Sequence, residues 1–99
     1  MSASRIRRDR NGYAPSILET EPGICYLCRS HKDTARHEIF FGTGNRKLSK
    51  ACGLWVNLCP RCHALVHEDK RADEALKRRG FEAYGDREDF YKLFRRYYD

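Results

Sequence analysis

The sequence predicts a small α+β domain held by metal as much as by a core, and three observations predict it. Two CxxC pairs, Cys25/Cys28 and Cys59/Cys62, stand thirty residues apart. Two short runs of strand character flank a glycine-rich basic stretch and lead into a helix start that carries His63 and His67. The C-terminal third has the spacing of amphipathic helices. In 99 residues, 40% are hydrophobic and 34% charged, which makes one domain with a thin core. Domains of this size commonly add a disulfide or a structural metal.

Residues 1–21 are polar and arginine-rich (Arg5, Arg7, Arg8, Arg10), are broken by Gly12 and Pro15, and are closed by Pro22. With so few apolar positions they are expected to form a flexible basic arm, free to contact phosphates or simply solvated. Residues 22–99 are then a single domain. Its first part, 23–29 (GICYLCR), reads as a knuckle, a tight turn whose amides face two sulfurs. Residues 34–41 (TARHEIFF) carry the β-branched and aromatic side chains of a strand. Residues 42–53 (GTGNRKLSKACG), with three glycines, are expected to be a long loop with room for one helical turn. Residues 54–58 (LWVNL) form the second strand of the hairpin, with Trp55 expected in the core or stacked on a base.

A helix follows from Pro60, whose missing N–H is unneeded in a first turn, to about His67. A second is expected over 72–79 (ADEALKRR), stopped by Gly80. The last runs over 86–98, with Asp86 as N-cap, Asp89 in the first turn, and Phe90, Leu93, Phe94 and Tyr97 at i, i+3, i+4, i+7 facing the core.

No apolar run reaches the roughly 18 residues of a membrane span, and the N-terminus lacks the pattern of a signal peptide, so the expected location is the cytosol. In a reducing compartment paired cysteines read as metal ligands rather than disulfides. Cys25, Cys28, Cys59 and Cys62 therefore predict a four-thiolate structural Zn²⁺ site, while Cys52 stands alone in the basic loop. On the helix, His63 and His67 at i and i+4 lie on one face about 6 Å apart and can share one ion. Cys62, turned by about 100° from His63, points toward the thiolate partners instead. The formal net charge of +6 favours a polyanionic partner.

In this order of elements, RHEIFFGTGNRK followed by LCPRCHALVH resembles the HNH endonucleases, the ββα-metal or His-Me finger proteins, and most closely their small phage and prophage members. The resemblance covers about residues 25–67 and rests on the two CxxC pairs, the HEIFFG strand and the LCxxCH helix entry. It implies a ββα core over 23–68 with a structural zinc, then helices over 69–99. It places His63 and His67, with His37, as ligands of a catalytic Mg²⁺, Mn²⁺, Ni²⁺ or Zn²⁺ ion. The family commonly has Asp-His or His-His on the first strand, ligand then general base. Here His37-Glu38 occupies that place, so His37 and Glu38 are both candidate catalytic residues, with the base being one or the other. The family's central Asn would fall at Leu54. Asn45 is the preferred substitute for fixing the loop, and Asn57 the other.

The function implied is metal-dependent hydrolysis of DNA phosphodiester bonds, nicking or cutting with modest sequence specificity. Double-stranded DNA is the expected partner, contacted by Arg36, Arg46, Lys47, Lys50 and Arg61. Some phage HNH proteins act beside terminase or packaging proteins, which makes these possible further partners; a monomer is the default. The alternative is a non-catalytic zinc ribbon that binds nucleic acid or assists DNA packaging, which would need the thiolates and not the imidazoles.

Overall fold

The computed structural model describes residues 8–98. Arg5 and Arg7 of the expected arm lie outside them. Two strands and four helices follow in the order β1 (Ala35–Glu38), α1 (Asn45–Ala51), β2 (Trp55–Leu58), α2 (Pro60–Glu68), α3 (Lys70–Tyr84) and α4 (Arg87–Phe94). The strands pair antiparallel, with His37 opposite Val56 and Glu38 opposite Trp55. No described helix is long and apolar enough to cross a membrane.

Strand β1 is shorter than the sequence suggests, and Ser49 is the reason. One further ladder bond, Ile39 N–H to the Leu54 carbonyl at 3.0 Å, continues the pairing. The next amide, Phe40 N–H, donates to the Ser49 hydroxyl at 3.2 Å, and that hydroxyl donates to the Leu54 carbonyl. Ser49 is fully buried and closes the base of the hairpin. It sits on α1, the seven-residue helix that replaces the expected loop. Arg46, Lys47, Leu48 and Ala51 are all good helix formers, and the glycines lie outside them. Gly44 at the N-cap and Gly53 after the C-cap both take positive φ.

Helix α2 begins where the sequence places it, with the Cys59 Sγ accepting from Cys62 N–H and Pro60 in the first turn. Asp69 ends α2 and caps α3 at once, its carboxylate accepting from Arg71 N–H and Ala72 N–H. For this reason α3 starts before Ala72. Its far end also differs, because the helix runs through Gly80 to Tyr84. A Cβ at Gly80 would lie 3.1 Å from Phe40 Cε2, so this glycine lets α3 approach the core rather than stopping it. Asp86 caps α4 by accepting from Asp89 N–H, and Arg95, in the left-handed conformation, ends it. Phe90 and Phe94 are buried against Phe40, with ring centroids 5.2 and 4.8 Å from it.

The described part of the N-terminal arm, residues 8–21, is docked on the hairpin. Ala14 and Leu18 are buried, Ala14 N–H donates to Lys50 O, and Ile17 N–H donates to Gly53 O. Trp55 is half-buried and lies outside the main core; its indole N–H donates to Ala14 O at 2.7 Å. Two apolar anchors and main-chain pairing thus do what composition alone would not suggest. At Gly53 a Cβ would stand 2.3 Å from the Pro15 carbonyl, with φ at +71°. Gly53→Ala combines left-handed strain with a backbone clash and is expected to destabilise the fold by about 3 kcal/mol in urea denaturation. An unchanged midpoint would mean that the segment is not held there.

Candidate functional site

Two clusters of potential metal ligands are built on adjacent faces of α2, about a quarter turn apart. The first joins the knuckle to the helix start. Cys25 N–H donates to Ser30 O, Arg29 N–H donates to Cys25 O, and Tyr26 N–H donates to Asn57 O on β2. This turn, with Arg29 at φ +67°, presents Cys25 and Cys28 to Cys59 and Cys62. The four sulfurs lie within 4.8 Å of one another, and Cys28 Sγ is 3.6 Å from Cys59 Sγ. A tetrahedron with bonds of about 2.3 Å has edges of about 3.8 Å, so the cluster could hold a metal ion with little movement. Burial works against the Cys25 thiolate, but the amides of Cys28, Cys59 and Leu27 outweigh it and bring the thiol down to about 6. Cys52 is not part of this cluster.

The second cluster unites His37 of β1 with His63 and His67 of α2, their ligand nitrogens also within 4.8 Å of one another. Strand alternation turns His37 inward, 3% exposed, while Arg36 faces out. The His63 and His67 rings stack at 5.1 Å, and His37 stands edge-on to them at 5.0 and 5.5 Å. Phe41, 5.3 Å from His67, walls the group. His37 Nε2 is buried with no hydrogen-bond partner, an arrangement that ordinarily carries a penalty of about 1–3 kcal/mol. Burial first, then the neighbouring His63 and His67, push the His37 imidazole down to about 3. His63 is lowered too, by burial and by His67. Both rings are therefore held in the neutral form that a metal requires.

These imidazoles line a cleft of about 290 Å³ together with Tyr13, Arg36, Glu38, Phe41 and Arg46. Glu38 accepts from the Tyr13 hydroxyl at 3.0 Å and pairs with Arg46 Nε at 3.5 Å. Burial and then the bond to Glu38 push the Tyr13 phenol up to about 12, so it stays a donor.

Other expected site residues are placed differently. Asn45 opens α1, and the task of fixing the hairpin connection, given to it from sequence, falls to Ser49. Asn57 instead binds the N-terminal segment, donating from its backbone N–H to Thr20 Oγ1 and from Nδ2 to Glu21 O. Arg36 is engaged within the protein, 2.6 Å from the Asp9 carboxylate and over the rings of Tyr13 and Trp55. The Lys50 ammonium lies over Tyr13 as well. Arg61 is on the thiol side of α2, beside Cys28 and Cys62, because its position faces away from the imidazoles. Arg46 and Lys47 are exposed on α1, Arg46 at the rim of the cleft.

Sequence reasoning missed Tyr13, Phe41 and Ser49. Only the Asp9–Gly12 turn signal hinted that the segment before Tyr13 is ordered. No protein-family model, curated protein or solved structure matches the chain.

Proposed function

We propose that the chain is a metal-dependent endonuclease of the HNH type, hydrolysing DNA phosphodiester bonds with modest sequence specificity, its thiolates holding a structural zinc. The observation that carries this reading is the convergence of His37, His63 and His67, from a strand and a helix, in an open cleft with the buried His37 Nε2 unpartnered. An orphaned nitrogen beside two more imidazoles fits a divalent ion. Three protein ligands leave a position open for substrate.

Bound there, such an ion would polarise the scissile phosphate and stabilise the departing oxygen. His37 serves as a ligand in this scheme, since a ring nitrogen of it lies within 4.8 Å of ring nitrogens of His63 and His67 and its Nε2 is buried away from solvent. The general base is then Glu38, whose carboxylate lies at the same cleft and takes a proton from water. Arg46 at the rim offers charge to a substrate phosphate, and Lys47 adds attraction from the exposed face of α1. Three imidazoles suit Zn²⁺ or Ni²⁺ best; Mn²⁺ favours oxygen ligands but accepts imidazole more readily than Mg²⁺ does.

Supercoiled plasmid incubated with Mn²⁺, Ni²⁺ or Zn²⁺ is expected to become nicked, with weaker nicking in Mg²⁺ and none in EDTA. Native mass spectrometry of metal-saturated protein is expected to find two ions per chain. One ion per chain, with plasmid intact under every divalent metal, would overturn the proposal in favour of a non-catalytic zinc ribbon.

A further inference from the structure

Residues 9–14 cross the open side of the hairpin and carry a tyrosine into the cleft. Asp9 orders the turn by accepting from Asn11 N–H at 2.9 Å and Tyr13 N–H at 3.0 Å. Its other carboxylate oxygen binds Arg36. The Arg36 guanidinium then lies 4.4 Å from the centre of the Tyr13 ring and 4.9 Å from that of Trp55. Lys50 Nζ is 4.7 Å from the same tyrosine ring, and Trp55 meets it edge-on at 5.6 Å. Ala14, the next residue, is pinned by the Trp55 indole and by its own amide to Lys50 O. Two cations, an indole and a turn thus fix one phenol.

That phenol ends on Glu38 Oε2, while Arg46 takes Oε1. A glutamate has three rotatable side-chain bonds, so a carboxylate at a cleft wall wanders unless both its oxygens are tied. We propose that Tyr13 is a positioning residue that fixes the Glu38 carboxylate in the cleft, and that Arg36 and Lys50 clamp Tyr13 rather than contact the phosphate backbone. The assignment rests on the endonuclease reading for what Glu38 does there. Arg36, paired with Asp9 and covered by two rings, has its charge already engaged. A guanidinium binding phosphate would need to leave that stack.

The experiment is nicking kinetics of the full chain with saturating Mn²⁺, together with fluorescence-anisotropy binding of a duplex oligonucleotide across a salt series in Ca²⁺. Tyr13→Phe keeps the ring and removes the hydroxyl. It is expected to lower kcat on the order of 10-fold, with KM for DNA and the thermal midpoint little changed, as loss of a supporting hydrogen bond does. In Glu38→Gln, adding Tyr13→Phe is expected to slow the reaction no further. Arg36→Ala is expected to slow nicking like Tyr13→Phe while leaving the slope of log K against log[salt] in place. A lost phosphate contact would reduce that slope by about 0.9. Should Arg36→Ala fold poorly, Arg36→Gln serves for the slope.

Wild-type rate in Tyr13→Phe, multiplicative losses in the double variant, or a shallower salt slope in the Arg36 variant would each overturn the inference while leaving the endonuclease reading standing. A wild-type protein silent on DNA with every metal would remove that reading and the inference with it.

Discussion

Replacing His63 with alanine is expected to reduce plasmid nicking by about 10³-fold or more while the far-UV circular dichroism and thermal midpoint stay close to wild type. The size follows from the ion's share of the barrier: several kcal/mol of charge stabilisation, where about 4 kcal/mol is already about 10³-fold. The retained fold follows from where His63 sits. It is half-buried on the cleft face of α2 and outside the apolar core, and alanine is a better helix former than histidine. His37 is a poorer choice for this measurement, being 3% exposed, because its removal would leave a hole in the hairpin as well as a missing ligand. In His63→Ala, metal content should fall from two ions per chain to one, the thiolate site keeping its own. Nicking at the wild-type rate would discard the imidazole site, and a collapsed dichroism spectrum would make His63 structural.

The parts of this molecule that sequence made legible are those in which local geometry suffices. Cys59 and Cys62 belong to one helix turn, and His63 and His67 are one turn apart, so their spacing alone says what they can share. That the knuckle cysteines join Cys59 and Cys62 also followed, because no other thiol pair exists in the chain. The strand pair and the start of α4, with its Asp86 cap, were visible for the same local reasons, whereas the expected run of that helix to residue 98 stops at Phe94, where Arg95 turns left-handed.

What was hidden depends on tertiary contacts. Gly80 reads as a helix stop until Phe40 is seen against it. Residues 45–51 look like a basic loop until Leu48 and Ser49 find the core side and the hairpin base. Tyr13 comes from a segment whose composition argues for disorder, and only Trp55 and Arg36, more than twenty residues away, reveal that it docks. Asp69 could have been found, since an Asp between two helical runs is an N-cap signal.

Removing one thiolate is expected to have the largest effect on the fold itself. Cys28→Ser should abolish the cooperative thermal transition at 25 °C and above, and a strong zinc chelator should do the same to the wild-type chain. The reason is the ratio of two quantities. A structural zinc of four thiolates contributes about 10–16 kcal/mol to folding, while a domain of this kind has about 5–15 kcal/mol in total. Here the apolar share is small, for the core is a thin layer around Phe40, Leu54, Phe90 and their neighbours.

Residues 25–30 reach the rest of the protein through the cysteine cluster, the Tyr26 amide bond to Asn57 O and the Tyr26 ring, which packs against the core beneath Arg79. Cys28 separates the metal's contribution from packing. It is exposed, so serine in its place removes no buried contact, whereas Cys25→Ser would alter a fully buried position. Cys52→Ser, outside the cluster, is the control; Cys52 packs partly against the core, so its loss should cost only about 1 kcal/mol. If Cys28→Ser melts like the wild type and keeps its zinc, the thiolates are not a staple, and the hairpin, α2 and the docked N-terminal segment must hold the knuckle by themselves.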